Sequence, residues 1–112
     1  MKALSQRQVT NRLAKFHQWA ECGDSIQRTF QFVDFFVSMK FVNEIAAAAE
    51  RAQHHPDILV RWNKVSLTLS THDAGGITEK DFAFAVEADR LAAPHTPPAP
   101  SAAPSDSSAT SP

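Results

Sequence analysis

The spacing of apolar residues along the first part of this chain changes between helical and strand-like periods. In residues 5–17, apolar side chains recur in steps of three and four, which predicts an amphipathic helix. These side chains belong to Val9, Leu13 and Phe16. Ser5 and Gln8 have the spacing of a capping box, so we expect this helix to begin there.

Two β-hairpins are predicted, each from two strand segments that are joined by turn residues. Residues 65–71 alternate most clearly, because apolar side chains fall on one face and Ser or Thr on the other. Asn63-Lys64 and Gly23-Asp24 are the expected turns. The other three strands are placed at residues 19–21, 26–32 and 58–62.

A second and a third helix are predicted on either side of the second hairpin. Asp34 suits the N-cap of the second helix. Pro56 requires that helix to end before His55, because a residue preceding proline disfavours helical geometry. Its expected buried stripe consists of Phe35, Met39, Val42, Ala46 and Ala49. Thr78 and Asp81 form another capping box, which opens a third helix that reaches about residue 91.

The order helix, strand, strand, helix, strand, strand, helix predicts the α+β class. We expect a two-layer sandwich, in which a four-stranded antiparallel sheet has three helices packed on one face. At least one edge strand of such a sheet stays unpaired, and an unpaired edge is a template for another chain. Self-association is therefore expected.

A change of composition after residue 92 separates one domain, residues 1–92, from a Pro/Ala/Ser-rich segment, residues 93–112. The second segment contains six of the seven prolines and little apolar bulk. It cannot bury enough surface to offset the entropy lost on ordering, so we expect a disordered tail.

Charge and cysteine content narrow the function classes. Residues 1–92 contain eleven Lys and Arg and, once Asp106 of the tail is subtracted from twelve, eleven Asp and Glu. This balance gives no electrostatic basis for binding nucleic acid or an anionic membrane. Cys22 is alone, which fits a reducing compartment, and no apolar stretch has the length of a signal peptide or a membrane span. We expect a cytoplasmic protein.

Candidate chemistry is concentrated between Glu50 and Asp81. His54 and His55 are adjacent, and His72 follows the last predicted strand. Imidazole is the side chain best suited to exchanging protons near neutral pH. A nearby carboxylate stabilises the imidazolium and orients the ring, a role open to Glu50 at the end of the second helix. Asp81 either caps the third helix or reaches back to a histidine.

Three other kinds of site fit the sequence less well. The spacing H-H-x16-H matches no common zinc pattern, so no metal site is predicted. Cys22 is far from the histidines along the chain, and the Gly-x-Ser-x-Gly motif of serine hydrolases is absent. Gly75-Gly76 follows a strand, but its loop lacks a Lys or Arg that would bind phosphate.

A longer pattern runs through the same residues: E-x3-H-H-P, then N-K-V, then L-S-T-H-x3-G-[ILV]-[ST]-x2-D-x3-A. It resembles the signature of the pterin-4a-carbinolamine dehydratases. The signature covers residues 50–85, and a weaker similarity extends the match to about 4–91. Its positions are Glu50, His54, His55, Pro56, Asn63, Val65, Thr71, His72, Gly76, Ile77, Thr78, Asp81 and Ala85.

The resemblance implies a dehydratase that eliminates water from 4a-hydroxytetrahydropterin to give quinonoid dihydropterin. Such an enzyme recycles a pterin spent by an aromatic amino-acid hydroxylase. The resemblance implies acid–base work by His54 and His72, orientation of the pterin by His55, and support from Glu50 and Asp81. It implies a homodimer or homotetramer and no metal or organic cofactor. Substrate contacts are expected from Pro56, Trp62, Thr71, Asp73 and Gly76.

Three positions depart from the pattern and leave the substrate preference open. Many members have Trp, Asn and Tyr where this chain has Ile58, Val60 and Trp62. Proteins of this fold also look to have binding roles, as dimerisation partners of transcription factors or as assembly factors for other enzymes. A non-catalytic role and action on another pterin are therefore the alternative hypotheses.

Overall fold

A computed structural model of the protein describes residues 2–96. Its elements are α1 Gln6–Leu13, β1 Ala20–Cys22, β2 Ser25–Gln31, α2 Phe35–Ala52, β3 Asp57–Arg61, β4 Lys64–Leu69 and α3 Glu79–Ala92. Short 3-10 turns follow β4 at His72–Ala74 and α3 at Ala93–His95. Residues 93–95 thus continue from α3, whereas the predicted tail lies outside the described residues from residue 97 onward.

The four strands form one antiparallel sheet in the order β1-β2-β4-β3. Ile26 is paired with Leu69 and Phe30 with Val65, and all four side chains are buried. They form the apolar face of the sheet, against which the helices pack. The predicted α+β sandwich is confirmed, and β3 is one of the two edge strands.

Side-chain caps fix the helix starts where the sequence predicted them. Ser5 and Gln8 form a capping box at α1, and the Asp34 side chain accepts a hydrogen bond from the Val37 N–H at 2.9 Å. The end of α1 was predicted wrongly. The chain tightens into shorter turns after Leu13, and the Phe16 N–H bonds the Leu13 carbonyl at 2.9 Å.

The buried face of α2 differs from the predicted stripe. Phe35 and Ala46 are exposed, and of that stripe only Ala49 is buried. The side chains of α2 that are buried belong to Ser38, Phe41, Ile45, Ala48 and Ala49. Because α2 is apolar around much of its circumference, spacing alone did not select a face. The ring of Phe41 lies 4.8 Å from that of Phe30, which identifies the face that meets the sheet.

The turn between β3 and β4 lies one residue earlier than predicted. Arg61 pairs with Lys64, so Trp62 and Asn63 form the turn. Trp62 adopts a positive φ of 56°, which is unusual for a residue with a side chain. Asn63 and Lys64 resemble turn residues more than Trp62 does, and this explains the error in the prediction.

Candidate active site

The candidate site centres on a buried hydrogen bond between the end of α2 and the start of α3. His54 Nε2 lies 2.6 Å from Asp81 Oδ1. The Asp81 side chain is fully buried, and His54 is 8% exposed. Gln53 ends α2 in a left-handed conformation, and the His54 N–H bonds the Ala49 carbonyl. This reversal lets the His54 ring reach α3.

The second oxygen of Asp81 is held by two threonines. Asp81 Oδ2 lies 2.9 Å from Thr71 Oγ1 and 2.8 Å from the Thr78 backbone nitrogen. The two threonine hydroxyls are 2.6 Å apart, and Thr78 Oγ1 also accepts from the Lys80 N–H. Asp81 therefore caps α3 and also bonds a histidine, so both roles considered for it from the sequence are present.

The direction of these hydrogen bonds follows from the chemistry of an ionised carboxylate, which only accepts. Thr71 then donates to Asp81, Thr78 donates to Thr71, and His54 donates its Nε2–H. This arrangement leaves Nδ1 of His54 as the ring nitrogen that can exchange a proton. Within residues 2–96, Nδ1 has no hydrogen-bond partner. The edge-on ring of Phe84, 6.3 Å from the His54 ring, supports the imidazole from the side.

The second adjacent histidine has its own carboxylate. His55 Nε2 lies 2.7 Å from Glu50 Oε2, and both side chains are exposed. Glu50 belongs to the last turn of α2, as expected. The structure thus gives each of the two neighbouring histidines a separate carboxylate partner, one buried and one in contact with solvent.

His72 begins the 3-10 turn after β4 and is exposed. The turn is closed by a bridge between Thr71 and Gly76, and Asp73 is exposed within it. Gly76 is buried, and a Cβ added there would lie 3.4 Å from Ala3 Cβ. A Cβ at Gly76 would therefore lie against the side chain of Ala3.

The residues predicted to contact substrate fall into separate places. Pro56 directly follows His55 and is half-buried, whereas the hydroxyl of Thr71 is taken up by Asp81 and Thr78. Trp62 lies at the opposite end of β3. A strand of five residues spans roughly 16 Å. Trp62 therefore lies far from His54 and His55 of the same chain.

A groove of about 320 Å³ opens between α2 and α3 beside His54. Its lining residues are Ala48, Arg51, Ala52, His54, Lys80, Ala83, Phe84 and Glu87. Sequence reasoning missed Arg51 and Lys80, since a cation at a helix end or on a solvated face gives no distinguishing signal. The groove is mainly apolar, with charged groups from both helices.

Two ion pairs involve residues of α3. Arg12 of α1 pairs with Glu79, and this hydrogen bond holds the pKa of the Glu79 carboxyl below its ordinary value. Near the other end, the hydrogen bond from Arg90 lowers the pKa of Glu87. The first pair links α1 to the helix that carries Asp81, whereas the second lies within that helix.

Residues 2–96, the part of the chain that the structure describes, lack two kinds of feature. No group of three or more His, Cys, Asp or Glu side chains in this part of the chain is placed to hold a metal ion. None of its helices is long and apolar enough to cross a membrane.

Comparison with known proteins places these residues in a wider context. Residues 2–91 match the family model described as pterin 4 alpha carbinolamine dehydratase. A protein of Roseiflexus sp. (strain RS-1), provisionally named for that activity, is 46% identical over 88 residues, which are 79% of this chain and 95% of the relative. A similarly named protein of Picosynechococcus sp. is 43% identical over 79% of this chain and 96% of its own length.

Solved structures show the same fold. A transcriptional coactivator/pterin dehydratase from Brucella melitensis has a TM-score of 0.78 and 30% identity over 81% of this chain and 99% of its own. A pterin dehydratase-like protein, identified as a RuBisCO assembly factor in the alpha-carboxysome, has a TM-score of 0.59 and 30% identity. It aligns with 68% of this chain and 90% of its own length.

Proposed function

Because the chain belongs to the pterin-4a-carbinolamine dehydratase family, we propose that it dehydrates 4a-hydroxytetrahydropterin to quinonoid dihydropterin. In this reaction the bond between C4a and the hydroxyl oxygen breaks, and a proton from a general acid lets the oxygen leave as water. A base removes a ring N–H proton. Two protons are transferred, no electrons are gained or lost, and the reaction needs no co-reactant.

The observation that carries this proposal is the buried bond between His54 and Asp81. A carboxylate on Nε2 fixes the tautomer and stabilises the imidazolium once Nδ1 takes up a proton. His54 can therefore accept and return a proton without reorganising its surroundings. General acid–base catalysis of this kind typically contributes about 10²–10⁴ in rate.

His55 and His72 complete the proposed set of proton-transfer groups. We assign the second acid–base role to His72, which is exposed in the turn after β4, and the orientation of the pterin to His55. The bond between Glu50 and His55 supports that orientation, because it fixes one ring nitrogen. Pro56 and Asp73, which neighbour these histidines in the chain, are proposed contacts for the substrate.

We further propose that the protein acts in the cytoplasm as a homo-oligomer, beside an aromatic amino-acid hydroxylase that produces its substrate. A binding role is the second candidate function. One observation favours it: Val33, just before α2, and Phe35 and Phe36, at its start, are 71%, 50% and 72% exposed. An apolar patch of this kind suits a protein partner.

An assay coupled to an aromatic amino-acid hydroxylase tests the dehydratase. The hydroxylase generates the carbinolamine, and its dehydration is followed by absorbance with and without this protein. Acceleration proportional to the concentration of the protein supports the proposal. If the folded protein gives no acceleration with any of several side-chain variants of the pterin, the binding role replaces it. A rate that rises with only one pterin identifies the preferred substrate.

A further inference from the structure

Three apolar side chains at the start of α2 are open to solvent. Val33, Phe35 and Phe36 are each at least half exposed, and together they are called the α2 patch here. A single exposed apolar residue is ordinary, whereas a group that includes two aromatic rings marks a contact surface. The exposed fractions show that no segment of residues 2–96 covers the patch fully.

The direction of α3 leads toward this patch. α3 runs antiparallel to α2, because its successive residues meet positions of α2 that lie closer and closer to the start of that helix. Arg51 Nη2 of α2 lies 3.9 Å from Glu87 Oε2 of α3. Just after α3, His95 Nε2 lies 3.1 Å from Glu44 Oε1 of α2. The chain therefore approaches the α2 patch as it leaves α3.

His95 and Thr96 hold the end of the described chain close to the patch. The His95 side chain is 17% exposed, and its ring lies edge-on to Phe32, with 6.4 Å between the ring centroids. Phe32 directly precedes Val33 of the patch. Thr96 is half-buried, and its backbone is extended, with φ −95° and ψ 148°. The described chain thus ends in an extended residue beside α2.

The residues that follow have a composition suited to an aromatic surface. Residues 97–100 read Pro-Pro-Ala-Pro. Proline restricts φ, so such a sequence favours polyproline II and loses little conformational entropy on docking. Proline-rich segments of this kind bind surfaces that are lined by aromatic side chains. The tail cannot form a core of its own, but this limit does not apply to packing against a surface that the domain already provides.

We infer that residues 97–100 of this chain pack across the α2 patch and cover Phe36. A protein partner that uses the patch must then displace a segment of the same chain, so this segment regulates the binding role. The inference goes beyond the proposed dehydratase reaction and does not depend on it, since the patch lies at the opposite end of α2 from His54.

The distances agree with this placement. Phe36, Lys40 and Glu44 follow one another on α2 at steps of four and therefore form one row along the helix. The row from Glu44 to Phe36 measures about 12 Å at the rise of an α-helix. Polyproline II rises about 3.1 Å per residue, so a segment of the length of residues 97–100 covers the same distance. A chain that starts beside Glu44 therefore reaches Phe36 within these residues.

Lys40 supplies the polar part of the contact. Its Nζ lies 5.9 Å from the centroid of the Phe36 ring, and Lys40 forms no ion pair within the described residues. Backbone carbonyls in polyproline II have no partner within their own segment, and an ammonium group can donate to them. Lys40 and Phe36 together thus offer the hydrogen bond and the aromatic surface that a proline-rich segment needs.

Exchange of prolines for glycine in the 112-residue chain tests the contact. Pro97→Gly/Pro98→Gly/Pro100→Gly removes the preference for polyproline II, and Pro104→Gly/Pro112→Gly is the matched control farther along the tail. The fluorescence of anilinonaphthalene sulfonate, a dye that binds exposed apolar surface, reports how open the patch is. The triple variant should raise this fluorescence at least about threefold, and the control should leave it at the wild-type value.

A second change assigns the effect to the patch, since the dye can also enter the groove beside His54. With Phe36→Ser in the background, the triple variant and its parent should bind the dye equally, because the ring that the segment covers is gone. The methyl NMR signals of Val33 should shift in the triple variant and stay in place in the control. Melting curves check that each variant is folded.

The outcomes of this experiment separate clearly. A rise in the triple variant that disappears with Phe36→Ser supports the inference. Equal dye binding by wild type and the triple variant overturns it, and so does a rise that persists with Phe36→Ser. If Val33 methyl signals shift with protein concentration as sedimentation shows dimers forming, and not with the proline changes, a second copy covers the patch and the inference is likewise overturned.

Discussion

His54 and Asp81 are 27 positions apart in the sequence and 2.6 Å apart in the fold, measured from Nε2 to Oδ1. The contact joins the residue that follows the end of α2 to the first turn of α3. Because Asp81 is fully buried and His54 nearly so, water does not compete for this bond. The contact therefore decides which ring nitrogen of His54 is engaged by Asp81, and this is Nε2.

Asp81→Asn should lower kcat at least about a hundredfold, because the amide lacks the charge that stabilises the imidazolium. It should also reduce the free energy of unfolding by about 1–3 kcal/mol, since hydrogen bonds to a buried group are weakened. Steady-state kinetics and urea denaturation measure the two effects. Asp24→Asn, at an exposed turn, is the matched control, and equal kcat values for the two variants would contradict the assigned role.

Thr71→Val should disturb the tautomer of His54, whereas Thr71→Ser should preserve it. The valine variant leaves Asp81 Oδ2 with one donor fewer, at a cost of about 1–3 kcal/mol in unfolding free energy. Histidine ¹⁵N chemical shifts report which ring nitrogen carries the proton, independently of stability. A valine variant with wild-type ¹⁵N shifts would show that Thr71 only supports the fold.

Glu50→Gln and His55→Ala should lower turnover with little effect on stability. Both side chains are exposed, so the free energy of unfolding should change by less than about 0.5 kcal/mol. Thermal melting and kcat/KM, measured on the same preparations, separate the two properties. A drop in stability as large as that of Asp81→Asn would mean that this pair serves the fold instead of the substrate.

The pair formed by Arg12 and Glu79 should make stability depend on pH in the acid range. The folded pKa of Glu79 lies below its ordinary value of 4.5. Its stabilising contribution is therefore present above pH 4.5 and is lost as the pH falls through the lowered pKa. Urea denaturation should show Glu79→Gln less stable than wild type at neutral pH and equal to it in strong acid. A difference that persists in strong acid would contradict this assignment.

Local chemistry made much of this fold predictable. Each helix start could be read from a capping side chain within a few residues, namely Ser5, Asp34 and Thr78. The alternation along β4 likewise identified its buried face, which carries Val65, Leu67 and Leu69. Such signals depend only on residues that are close in the sequence, so they can be recognised without knowledge of the fold.

The errors arose where local patterns were ambiguous. α2 is apolar on several sides, and only contact with Phe30 shows that Phe41 and not Phe35 faces the core. Trp62 occupies a turn position that its side chain disfavours, so no propensity could have placed the turn there. Both errors concern residues whose environment is set by distant parts of the chain.

The candidate site was predictable in its residues but not in its pairings. The histidines and carboxylates were identified by type and by resemblance to a family. The sequence could not show which carboxylate each histidine meets. In the fold, Asp81 bonds His54 and Glu50 bonds His55. Thr71 donates a hydrogen bond to the Asp81 carboxylate. The catalytic roles assigned to these residues remain predictions.

The most direct test of the proposed dehydratase is the decay of preformed 4a-hydroxytetrahydropterin at neutral pH, compared between wild type and His54→Gln. The glutamine amide can still donate a hydrogen bond to Asp81, so the fold is kept, but it cannot accept and return a proton. Wild type should accelerate the decay, and the folded variant should do so at least about a hundredfold less. A folded His54→Gln protein that matches the wild-type rate would contradict the account.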